Sequence, residues 1–94
     1  MTRLDDYIAR RRKNRLICIV TKLYVESRKF DMRPYPVSFD DLHTQFQSQD
    51  IMDLRQYGLV TLDSDLSGHP GASLTNKALS MPLHDLVTYI RENI

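Results

Sequence analysis

The chain has no tryptophan, one cysteine and three glycines in 94 residues. A single cysteine cannot close an internal disulfide. Cys18, set among Leu16, Ile17, Ile19 and Val20, reads as a buried thiol, so redox chemistry is not expected. So few glycines leave no glycine-rich loop for cradling a phosphate. His43, His69 and His84 are widely separated and lack a cysteine pair or an H-x-x-x-H spacing, so neither a metal site nor a cofactor is expected. No apolar run reaches bilayer length, and no membrane association is expected. Arg10 to Arg15 precede a short apolar stretch that Lys22 interrupts, and no small-residue cleavage site follows, so the reading is a cytoplasmic protein without a signal peptide. The hydrophobic share of 41% and charged share of 27% suit a folded domain. The length permits one domain over residues 1–94, with a core too small for a catalytic pocket. Asp40–Asp41 and the pair Asp63 and Asp65 read as cap and turn residues rather than catalytic carboxylates, and no enzyme activity is expected.

Charge is the main resource, and it is unevenly spread. Residues 1–33 carry ten basic side chains against four acidic ones, a net +6, while residues 34–94 carry three against eight, a net −5. Five of the cations, Arg10, Arg11, Arg12, Lys13 and Arg15, fall within six residues. Positive charge spread around more than a full helical turn either faces solvent or lies against an anion.

Apolar spacing predicts the elements. Leu4, Ile8, Leu16, Ile19, Val20 and Leu23 recur three and four apart, predicting a long helix over 4–27 with Asp5 and Asp6 in its first turn. Pro34 and Pro36 force an extended segment, with room for a short strand at Tyr35–Val37. Ser38 reads as an N-cap with Asp41 three residues on, opening a helix that carries Phe39, Leu42 and Phe46 on one face. Asp50 reads as the cap of a further helix carrying Ile51, Leu54 and Tyr57, stopped by Gly58. Residues 38–58 thus read as helix-turn-helix. Strands at Leu59–Leu62 and Ala72–Thr75 flank a turn over Ser67–Gly71, a hairpin over 59–75. Pro82 opens a last helix over 81–92 with Leu83, Leu86, Val87 and Ile90 on one stripe. The expected fold is α+β and mostly helical.

Two segments carry a family likeness. Leu54-Arg55-Gln56-Tyr57-Gly58-Leu59-Val60 is similar to the junction of helix, glycine and leucine-valine that leads into a wing. Ser73-Leu74-Thr75-Asn76-Lys77-Ala78-Leu79 resembles the L-T-x-K-G segment that closes it. In this order they resemble the winged-helix regulators of bacteria, archaea and phages. The resemblance implies a winged helix-turn-helix that binds double-stranded DNA and regulates transcription.

On that reading, Arg10, Arg11, Arg12, Lys13 and Arg15 contact phosphates, Gln49, Arg55 and Gln56 address base edges, and His69 reaches DNA from the wing. Leu4, Tyr7 and Ile8 with Leu83, Leu86, Val87 and Ile90 form a homodimer surface. The helix expected to enter the groove is short, and Asp50 and Asp53 on it would oppose phosphates. That feature keeps a second reading open. It is a protein-interaction module, for example a phage or mobile-element protein docking on a host complex, with little affinity for DNA. The basic run would then face the acidic half of another chain.

Overall fold

A computed structural model describes residues 3–42 and 44–94. The chain is α+β. A long helix α1 (Arg3–Arg28) leads through strand β1 (Val37–Ser38) and one 3-10 turn (Asp40–Leu42) to α2 (Ser48–Gln56). The hairpin β2 (Val60–Ser64) and β3 (Pro70–Leu74), a single turn α3 (Asn76–Leu79) and α4 (Leu83–Asn93) follow. The sheet is antiparallel in the order β1-β3-β2. Val37 sits opposite Ala72, and Val60 opposite Leu74.

The core follows the apolar stripe of α1. Leu16, Ile19, Val20 and Leu23 are fully buried and meet Ile51 and Leu54 of α2, Leu59, Val60 and Leu74 of the hairpin, and Leu86 and Ile90 of α4. Successive helical residues turn by 100°, so five apolar residues in a row cannot all face inward. Cys18 lands opposite the stripe and is exposed, which overturns the expected buried thiol.

The helix expected over residues 39–46 is replaced by the 3-10 turn of three residues. Ser38 does cap it, its Oγ accepting from the Asp41 backbone N–H at 3.2 Å. Phe39 and Phe46, spaced as if on one helical face, meet instead as tilted rings 5.7 Å apart, so their burial needs no helix. His43 of that segment lies outside the described residues. Helix α2 starts two residues before the expected cap. Gln47 is the N-cap, and Asp50 sits in the first turn with its Oδ2 accepting from the Gln47 backbone N–H at 2.8 Å.

Gly58 stops α2 with φ +73°, the left-handed conformation only glycine takes without cost. Thr75 and Lys77 hold that stop in place. Thr75 Oγ1 donates to the Gly58 carbonyl at 2.6 Å and accepts from Ala78 N–H at 3.2 Å, capping α3. Lys77 Nζ donates to the Tyr57 carbonyl at 3.0 Å, against the negative end of α2. Gly71, expected in the turn, is instead a β3 residue paired with Ser38.

Candidate nucleic-acid interface

The basic run divides by helical angle. Arg12 and Arg15 point toward α2, where its two aspartates wait. Arg12 donates through Nε and Nη2 to Asp53 Oδ2 at 3.1 and 2.6 Å. Arg15 donates through Nε to Asp50 Oδ2 at 2.8 Å and through Nη2 to Oδ1 at 3.2 Å. Going three residues up α1 moves the partner three residues down α2, so the helices run antiparallel there. Positions i and i+3 share a helix face, and the matched spacings Arg12-x-x-Arg15 and Asp50-x-x-Asp53 are the sequence signal that could have found this interface.

These pairs act in two directions. They withdraw two arginines from the candidate phosphate contacts, and they also withdraw the carboxylates that argued against DNA. Asp50 is 1% exposed and Asp53 8%, so the solvent face of α2 presents no carboxylate. It presents Gln49, Met52, Arg55 and Gln56. Gln49 is itself engaged, its Nε2 donating to Asp53 Oδ1 at 3.0 Å.

Donation from Gln49, and then from Arg12, holds the Asp53 carboxyl below its ordinary range. A depressed folded-state pKa stabilises the fold above the unfolded value near ~3.9 and loses that contribution as the pH falls through the folded value. Urea midpoints are therefore expected to drop on acidification below about pH 4. Asp53→Asn should flatten this acid limb while lowering the midpoint at neutral pH, and an unchanged acid limb would contradict the assignment.

The remaining cations lie elsewhere. Arg11 is exposed and folds over its own helix, donating to Tyr7 Oη at 3.1 Å with its guanidinium 5.8 Å from the ring centroid. Arg10 and Lys13 line a shallow groove of about 420 Å³ between α1 and α4, together with Asp6 and Arg91. Lys13 Nζ donates to the Arg91 carbonyl at 2.7 Å, which satisfies an end of α4 and leaves two ammonium protons free. Arg91 was not among the expected contacts. It lies 78 residues from Lys13 in sequence, and only the docking of α4 onto α1 brings the two together.

His69 is distant from this group. It belongs to the hairpin loop, where Asp65 Oδ1 accepts from the backbone N–H of His69 at 2.8 Å and of Ser67 at 2.9 Å. Those bonds, His69 foremost, hold the Asp65 carboxyl below its ordinary range. His69 Nδ1 lies 3.4 Å from Asp65 Oδ2. Asp65 and Ser67 share a groove of about 530 Å³ with Lys22 and Glu26 of α1. Those positions are ten or more residues beyond Arg12, roughly 15 Å along the helix.

The residues expected at a dimer surface also divide. Leu86 and Ile90 are fully buried in the chain's own core, and Leu83 and Val87 are half-buried. Leu4, Tyr7 and Ile8 stand in solvent, 65%, 54% and 56% exposed. Among the described residues no cluster of three or more metal-ligating side chains occurs, and no helix is long and apolar enough to cross a membrane. No family model, curated protein or solved structure matches the chain.

Proposed function

We propose that the protein is a small winged-helix regulator that binds double-stranded DNA, gripping phosphates with Arg10, Lys13 and Arg91 and addressing base edges with Arg55 and Gln56 of α2. The observation that carries this reading is the inward turn of Asp50 and Asp53 onto Arg15 and Arg12. It leaves Arg55 as the one charged side chain on the solvent face of α2, with Arg10, Lys13 and Arg91 forming a separate basic group on the α4 side of α1. Arginine offers paired donors to guanine and glutamine offers a donor and an acceptor to adenine, so Arg55 and Gln56 suit base edges. Phosphate neutralisation supplies sequence-independent affinity, which for a patch of this size falls in the micromolar range at moderate salt, ~10⁻⁶ to 10⁻⁴ M.

The test is fluorescence anisotropy with random-sequence duplex at low salt. Arg10→Ala, Lys13→Ala and Arg91→Ala combined are expected to weaken binding at least tenfold, while Arg55→Ala should cost most on a preferred site. Equal affinity of the triple variant and the parent would remove the phosphate assignment.

A second reading, a protein-interaction module on the same scaffold, is favoured by the hairpin. Its β2 and loop carry Asp63 and Asp65 and no lysine or arginine, and Leu66 at its tip is 88% exposed. Such a hairpin suits a protein surface better than a polyanion. Absence of duplex binding at micromolar protein supports this module.

A further inference from the structure

The solvent face of α2 has an apolar centre. Its exposed residues are Ser48, Gln49, Met52, Arg55 and Gln56. At about 100° per residue they span an arc of about 120° whose midpoint falls on Met52. Met52 is 47% exposed, in a helix whose other apolar side chains, Ile51 and Leu54, are buried. It shares a shallow depression of about 430 Å³ with Gln49, Arg55 and Gln56. Gln49, three residues before it, is drawn aside to Asp53, which Arg12 holds in turn.

We infer that Met52 is a specificity-determining residue that packs on the C5-methyl group of thymine. This role rests on the proposed reading of base edges by α2, and it adds the base that the apolar centre of the face selects. Base edges in the major groove are hydrogen-bonding groups with one exception, the thymine methyl. An apolar side chain in the middle of the face gains contact there only by meeting that methyl. Against the other bases it would strand donors and acceptors without partners. Gln56 stands one turn beyond Met52 on the same side of the helix and suits adenine. One A·T pair, or two in succession, then satisfies both side chains. Methionine is unbranched and flexible, so it follows the methyl without needing one fixed rotamer.

The charge of the face is consistent with this role. Arg55 is its one charged side chain, so contact made by α2 depends on the groups of the base edges more than on phosphate attraction. In such a contact a single methyl is a measurable share. Burying a group of that size is worth about fourfold in affinity.

Fluorescence anisotropy of the full chain, with an alternating d(A-T) duplex and its d(A-U) counterpart at the same low salt, tests this role. The two duplexes differ chemically only by the methyl, and every register of the alternating sequence offers it. The wild type is expected to bind the uracil duplex about fourfold more weakly. Met52→Ala should bind the two alike and keep the parent's thermal unfolding, because the side chain lies outside the core. Duplex binding with equal affinity for thymine and uracil, or a thymine preference that survives Met52→Ala, would overturn the assignment of Met52 and leave the regulator reading standing. No binding to either duplex would remove that reading and the role of Met52 with it.

Discussion

Gly71→Ala is expected to unfold the protein at temperatures the parent tolerates, costing about 3 kcal/mol or more. A Cβ on Gly71 would meet the Val37 carbonyl carbon at 2.7 Å and the Ser38 Cα at 2.8 Å, both closer than real Cβ contacts come. The obstacle is backbone, so no side-chain rotation relieves it. Strand β1 must leave β3, and with it go the Val37 burial and the Phe39 N–H to Pro70 carbonyl bond at 3.1 Å. In a domain of this size the loss lowers the thermal midpoint by about 10 °C or more. Gly68→Ala is the control. Nothing lies within 4 Å of its Cβ position, and only its φ of +84° opposes the change, at about 1 to 2 kcal/mol. Thermal circular dichroism of both variants measures the difference, and a Gly71→Ala midpoint at or above that of Gly68→Ala would contradict the account of β1.

Arg15→Ala carries the second large effect, about 2–4 kcal/mol of lost stability. The Asp50 side chain is 2% exposed, and Arg15 supplies two of the three donors reaching its carboxylate. Removing the guanidinium leaves a buried charge with the Gln47 N–H alone. The converse change is milder, because the Arg15 side chain, 23% exposed, can swing into water. Asp50→Asn in the Arg15→Ala background removes the stranded charge and should recover at least half of the loss, since an asparagine oxygen still accepts from Gln47. Urea unfolding of Arg15→Ala, Asp50→Asn, the double variant and the parent checks this. Full additivity of the two losses would show that the pair is not coupled.

Much of the architecture was legible because it follows from local chemistry. The stripe from Leu16 to Leu23 specified α1, Gly58 specified the end of α2, and Ser38 announced its cap. The extended Pro34–Pro36 stretch leads into a strand, at Val37–Ser38 rather than Tyr35–Val37. What misled was spacing with two solutions. Phe39, Leu42 and Phe46 have helical periodicity, but an aromatic pair over a 3-10 turn buries the same rings. Cys18 sits in an apolar run whose middle must face outward once its neighbours face in, a consequence of helix geometry that composition hides.

The candidate site was half legible. The basic run was visible, but its division was not, because Arg12 and Arg15 find partners 41 and 35 residues away. Only the matched three-residue spacings hint at them. Arg91 was invisible for a similar reason, as its place beside Lys13 depends on how α4 docks. His69 looked available on a turn, yet Asp65 two residues before the glycine turn engages it.

The proposed polyanion contact rests on the positive charge left over after internal pairing. The salt dependence of random-duplex binding measures it most directly. With Arg10, Lys13 and Arg91 on phosphates, log K against log salt should fall with a slope of about −3, and each alanine substitution among the three should reduce that slope by about one. A slope near zero, or no binding at tens of micromolar protein in low salt, would contradict the account.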